Sequence, residues 1–467
     1  MTPPPTRFQR VASICWFTYA LVAITPFLCV ADQALGHKGL LPCNATILCL
    51  VMLAPFAASA LTSKLQARTP SAFLTPITSN AFPLGAFFLI ALLALALSIL
   101  PDAYWDEGGK WIFIIPYGLA ISLSSMYVGA RPEIARHLPV YTLISLGLLT
   151  WSIWFDLTYP GSFADITNRA AGFPGNANFS ALVGVLVCSA GLHFGGPCAK
   201  RLSRSSFGTC TPPPPPPGLW RDLLLLTLTF AIVVMTMSRS GLVNFTVLLS
   251  TFIYFRFFRS SYTLRQRILG AGAVLAVGAI LVAMLPLFAS LVSANESNNR
   301  LARYLSDKQV DDGSAGTRLA AALDSIRLIE ESPIVGHGTG YSRTMFELPH
   351  NLYLMQWVNN GFLGVIAYLL FLATAFATFT LRGCRNGQAL ILVTTIASIF
   401  SHNLLDQRPF LILFGFLLSA SLVSQPSKGS EMWPRPHRIA PRRGPVPSAA
   451  WVKAATPQSL SLMQEHP

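Results

Sequence analysis

The chain has 467 residues, of which 52% are hydrophobic and only 11% charged, with a mean hydropathy of +0.53. No soluble domain has a core large enough to hide that much apolar surface, so composition leaves a polytopic membrane protein. The formal net charge of +14 reports the placement of Lys and Arg about the membrane and contact with anionic lipid headgroups; it requires no nucleic acid.

A helix needs about 20 mostly apolar residues to cross the hydrocarbon layer. Twelve stretches qualify, centred near residues 20, 53, 91, 120, 147, 187, 230, 248, 281, 366, 396 and 416. The first, residues 11–31, follows Arg7 and Arg10 and ends at Cys29-Val30-Ala31, which resembles a small-x-small cleavage site. Its apolar run exceeds the usual ~7 to 15 residue core of a signal peptide, so a retained span is expected.

Short basic loops stay cytoplasmic. With the N-terminus inside, the inner segments hold 22 Lys and Arg against 4 Asp and Glu, so the net charge divides into +18 inside and −4 outside. Both termini are therefore expected in the cytoplasm. Of the eight cysteines, only Cys43 lies near the outer face, and no spacing suggests a disulfide framework or a metal site.

Three segments interrupt the hydrophobic rhythm of a transmembrane domain expected over residues 1–424. The cytoplasmic loop 194–220 carries six consecutive prolines, a stiff polyproline II spacer. Residues 425–467, rich in Pro, Arg and Ser, read as a disordered basic cytoplasmic tail. The third is an outer loop of about residues 294–350, between spans nine and ten, which is expected to be partly helical. Its Leu319, Ala322, Leu323, Ile326 and Ile329 recur at helical spacing as one apolar stripe, and Pro333 closes the run. Arg318 falls about 20° beyond one edge of that stripe, on the side expected to face the protein, whereas Arg327 falls with Asp324 and Glu331 toward water. His337, within GHGTG, reads as part of a glycine-rich turn.

The polar residues gather on the outer side. The segment after span five brings Arg169, Asn176 and Asn178; the tight SRSG turn between spans seven and eight brings Arg239; the long loop brings Arg318 and His350; and the last outer turn brings His402, Asn403, Asp406 and Arg408. No Lys, Arg, Asp or Glu falls in the middle of any span. A solute transporter would place such groups near the midplane, whereas an enzyme acting on a lipid-anchored headgroup places them at the surface. Guanidinium groups suit phosphate, to which they offer a bidentate fork and a permanent charge. Neutral imidazole suits proton acceptance near pH 7. Pro349 is expected to begin the tenth helix, turning its first amides toward an anion.

The stretch PHNLYLMQWVNNGFLG, residues 349–364, separates His350-Asn351 from Gly361 by nine residues and Gly361 from Gly364 by two. This pattern resembles the signature of the O-antigen ligase family, part of a superfamily that uses polyprenyl-diphosphate-linked glycans. The SRSG turn, the Gly-Thr-Arg opening of the loop helix and the external Arg-x-x-Gly segment extend the likeness over roughly residues 160–425. The resemblance implies His350 as the catalytic residue and Arg239, Arg318 and, on a weaker match, Arg169 as binders of the donor diphosphate. It leaves Asn351, Asn176, His402 and Asp406 in supporting positions, and assigns close helix packing to Gly361 and Gly364. It implies an inverting glycosyltransferase in the bacterial inner membrane. The donor would be an undecaprenyl-diphosphate-linked glycan and the acceptor lipid A-core at the periplasmic face, with no metal or other cofactor. An O-antigen or exopolysaccharide polymerase, for which the spacing Arg327 to Gly338 is one match, stands as an alternative, followed by a protein O-oligosaccharyltransferase and, last, a solute transporter.

Overall fold

The computed structural model describes residues 7–41, 43–67, 77–105, 110–163, 170–194, 218–258, 268, 272 and 313–423. Among them every regular element is helical: α1 (Arg7–Leu28), α2 (Ala31–His37), α3 (Ala45–Ala67), α4 (Ala81–Ala96), α5 (Lys110–Gly129), α6 (Pro132–Ala135), α7 (Leu138–Thr158), α8 (Ala177–Gly191), α9 (Leu219–Met235), α10 (Arg239–Ile253), α11 (Gly313–Glu331), α12 (Leu352–Leu381), α13 (Arg385–Ala397) and α14 (Arg408–Val423). Each expected span centre falls inside one of these helices except the ninth, near residue 281, which lies outside the described residues. The hexaproline segment and residues 425–467 also lie outside them.

Among the described residues, five helical stretches are long and apolar enough to cross a bilayer: Arg10–Leu28, Ala81–Ile99, Leu138–Thr158, Arg239–Phe258 and Leu352–Leu381. Several others are apolar but shorter, and α8 shows why. From Ser180 to Gly191 every residue of α8 is buried, packed by α7, α9, α10 and α13. A helix that is apolar all round is one enclosed by other helices, so protein rather than lipid sets its length.

A second group of helices packs α5 against α14 and α4 against α12. The α5–α14 crossing is set by two glycines: a Cβ on Gly129 would overlap the Phe416 carbonyl, and one on Gly415 would overlap that of Ser122. Phe371 of α12 then wedges between Phe87 and Phe414, with ring centroids 5.1 Å from each. Such pairs contribute roughly 0.5 to 1.5 kcal/mol beyond simple burial.

Helix α12 is broken. Gly361 has φ 63° and ψ −166°, a conformation closed to residues with a Cβ, and the loop segment after Pro333 runs through the gap. The Phe362 amide donates to the Pro333 carbonyl, while the amides of His337 and Gly338 donate to the carbonyls of Val358 and Asn359, each at 2.9 Å. The close approach at Gly361 is therefore by the Ile334–Val335 backbone of the loop, where a second span was expected. Gly364 is crowded by Asn360 and Gln356 of its own preceding turn.

The apolar stripe of α11 does not face the protein. Leu319, Leu323 and Ile326 are 63%, 59% and 46% exposed, while the buried face presents Ala321 and Ser325 and packs against α12. Small side chains admit the close helix approach that leucines would prevent. The apolar face is left outward, as on helices that lie in a membrane interface.

Candidate active site

His350 stands at the head of α12, but the helix does not begin at Pro349. Asn351 is the N-cap, and its Oδ1 accepts from the amides of Tyr353 at 2.9 Å and Leu354 at 3.3 Å. The next free amide, that of Leu352, donates to the Ser398 carbonyl at 2.8 Å. The first turn is thus satisfied from within the protein, and its amides are not left for an anion as the position of Pro349 suggested.

His350 lines a cavity of about 180 Å³ together with Asn176, Asn178, Ser240, Asn244, His402 and Gln407. Three elements converge to build it. Asp156 at the end of α7 accepts the amides of Ala171 at 2.8 Å and Gly172 at 3.3 Å, which fixes the return segment leading into α8. Asn176 then caps α8, accepting from the amides of Asn178 and Phe179. Ser238 caps α10 by accepting the Gly241 amide at 3.0 Å, and its hydroxyl donates to Asn178 Oδ1 at 3.0 Å, so the SRSG turn is tied to the same wall. Gly241 is required because a Cβ there would press on Ala181 of α8.

This anchoring fixes the position of Arg239. It is the first residue of α10, exposed, and next in sequence to Ser240 in the cavity wall. Arg318 is exposed on α11, close enough for its charge to act on the His350 ring. Burial, followed by Arg318, holds the His350 imidazole below its ordinary pKa; Glu347, with Oε1 3.6 Å from Nε2, pulls weakly the other way. The ring is therefore held neutral and able to accept a proton. Arg169 lies outside the described residues.

The His402 ring centroid is 5.3 Å from that of His350. Burial, then His350 and Arg343, lower the pKa of His402 to about 4. His402 and Asn403 also line a smaller cavity of about 60 Å³ with Arg343, Asn359, Asn360 and Asp406. Burial raises the Asp406 carboxyl to about 7 against the opposing effect of Arg343. Asp406 does not pair directly with His402; its carboxylate accepts from Gln407 Nε2 at 3.2 Å. Arg408, another outer cation, is taken up in an ion pair with the buried Asp32. His337 is fixed elsewhere, 2.9 Å from the Leu328 carbonyl and stacked on Tyr341. Arg327 is solvent-facing and pairs with Glu331 at 3.7 Å.

Sequence reasoning missed Glu347 and Arg343. Glu347 stands three residues before His350, a local signal; Arg343 carried none, because only the fold of the loop brings it to the last outer turn. Among the described residues no group of three His, Cys, Asp or Glu side chains gathers as a metal would require.

No curated protein matches the chain. A family model described as O-antigen ligase matches residues 224–369, from the second turn of α9 into the second half of α12. That stretch contains Arg239, Arg318, His350, Asn351, Gly361 and Gly364, and it leaves out Asn176, His402 and Asp406. Over this stretch, about a third of the chain, the protein is similar to the O-antigen ligase family.

Proposed function

We propose that the protein moves O-antigen or a related glycan from undecaprenyl diphosphate to lipid A-core at the periplasmic face of the bacterial inner membrane. The chain would cross that membrane twelve times with both ends in the cytoplasm. The observation that carries the reading is His350: a neutral-leaning imidazole on a polar cavity, with the charge of Arg318 acting on it.

In this mechanism the acceptor hydroxyl oxygen attacks the anomeric carbon while its proton passes to His350. The carbon–oxygen bond to the diphosphate breaks, and the bonding pair leaves on the phosphate oxygen. Arg239 and Arg318, with Arg169, hold the diphosphate and offset the charge that grows on it, so the leaving group needs no proton and no metal. Direct attack inverts the anomeric centre. Asn176 lines the cavity as the cap of α8, Asn351 caps the helix that follows His350, and His402 lines both this cavity and the smaller one that Asp406 lines.

The polymerase reading rests on the spacing of Arg327 and Gly338. Arg327 points to solvent with Glu331 as its partner, so the geometry favours the ligase. The polar residues that a transporter would use, Gln356, Asn359 and Asn360, all precede the break at Gly361 and line the small cavity behind His402.

The test is purified protein given a polyprenyl-diphosphate oligosaccharide with and without lipid A-core. Transfer to lipid A-core is expected, and its loss in a folded His350→Ala variant. Extension of the donor instead would make the protein a polymerase; full turnover by His350→Ala would remove the histidine from the chemistry.

A further inference from the structure

At the far end of α12 from His350, a cavity of about 430 Å³ opens among the ends of α7, α8, α9, α12, α13 and α14. Among the described residues, four arginines line it, Arg136, Arg221, Arg382 and Arg385, with His193 and Asn386, and no Asp or Glu does. The proposed glycosyl transfer makes no use of this end of the bundle.

Two of these side chains are fixed by neutral acceptors. Arg382 Nη1 donates to Asn80 Oδ1 at 2.6 Å, the Leu418 carbonyl at 2.8 Å and Ser421 Oγ at 3.1 Å. Arg385 Nη1 donates to the carbonyls of Phe194 at 2.6 Å and Phe255 at 3.0 Å. Such bonds orient a guanidinium without cancelling its charge. Arg221 pairs with Asp222 at 3.2 Å, which also lies 4.0 Å from the buried Arg256, so one carboxylate is shared between two cations. Arg136 is exposed, with its Nε 3.0 Å from the neighbouring His137 ring.

Two further features suit an anion. Arg385 is the first residue of α13, whose N-cap, Cys384, makes no side-chain capping bond, so the positive end of the helix dipole faces the same cavity. His193 is held below its ordinary pKa by burial and by Arg256, Arg221 and Arg385, which keeps its ring neutral beside the cations. The remaining wall is apolar, with Leu138, Leu192 and Leu417.

We propose that this pocket is a second anion site, which binds a phosphate group through Arg136, Arg221, Arg382 and Arg385, independently of the chemistry at His350. The phosphate can belong to a lipid headgroup, whose chains would follow the apolar wall, or to a free ion. Basic pockets between membrane helices are suited to either by charge and fork geometry.

The experiment is native mass spectrometry of the purified full-length protein with phosphatidylglycerol, phosphatidylcholine and inorganic phosphate. Wild type is expected to retain the anionic lipid over the zwitterionic one. The double variant Arg136→Gln/Arg221→Gln should retain about tenfold less, the loss of charge-assisted bonds worth one decade or more in affinity. Arg327→Gln, exposed on α11, should behave as wild type. If the double variant does not fold, Arg136→Gln alone serves, with a severalfold loss expected. Displacement of the lipid by inorganic phosphate would assign the site to a soluble anion, and resistance to displacement would assign it to a headgroup. The proposal falls if wild type retains neither ligand selectively, or if a folded variant lacking Arg136 retains phosphatidylglycerol as wild type does.

Discussion

The Ile334 carbonyl lies against Gly361 so closely that a single methyl group on the glycine would overlap it, and the contact joins the outer loop to the break in α12. Gly361→Ala must therefore rebuild both partners: the alanine resists φ 63°, and the loop backbone cannot retreat without losing its three bonds to α12. A destabilisation of at least about 2 kcal/mol is expected, from backbone strain alone. Thermal melting in detergent would show it, and Gly85→Ala, with open space around the added methyl, should melt as wild type.

The neutral state of His350 predicts an acid limb in the pH–rate profile. Its pKa lies below the usual 6.5, so transfer should be fully active above that value and fall as pH drops through the lowered one. Arg318→Gln removes a cation and should move the limb to higher pH; Glu347→Gln removes an anion and should move it lower. Arg318→Gln should also raise KM for the donor if the same guanidinium holds its phosphates. Identical limbs in all three proteins would disconnect His350 from the rate.

Asn351 caps α12 through two amides, so Asn351→Ala should cost about 1 kcal/mol of stability, whereas Asn351→Ser, which can still accept, should cost much less. Activity should follow the cap: the serine variant retains most transfer, because His350 stays seated on a formed first turn. Melting curves and turnover of the two variants would check this together.

Asp406 sets a pH dependence of stability with a definite sign. Its folded pKa of about 7 lies above the unfolded value of roughly 3.9, so folding takes up a proton. The stabilisation is complete below about pH 4 and is lost as pH rises to about 7. Asp406→Asn should flatten this slope and make the variant the more stable protein above pH 7, as read by melting temperature across that range.

The residues show what sequence can and cannot carry. Eleven of the twelve expected span centres were legible as helices because membrane helices must be apolar over a fixed length, and the His350-Asn351 to Gly364 spacing was legible because it is local. The stripe on α11 was found but its direction was misjudged: periodicity tells which residues share a face, while the covering of that face depends on the rest of the fold. The place of Arg343 could not be read either. It depends on a loop pinned by Thr339 to the Ala94 carbonyl, 245 residues away, with Gly336, Gly338 and Gly340 all at positive φ. The N-cap role of Asn351 was readable in principle from its position ahead of the apolar run, but the preceding proline offered a competing start.

The break at Gly361 also sets a height. The 20 residues from Phe362 to Leu381 span about 30 Å as a helix, which is the thickness of the hydrocarbon layer on its own. The nine residues from Leu352 to Asn360 are then surplus to crossing and rise about 13 Å beyond it. His350 stands at the top of that pedestal, the height that the proposed transfer from a lipid-linked donor requires of a residue meeting sugars outside the acyl chains.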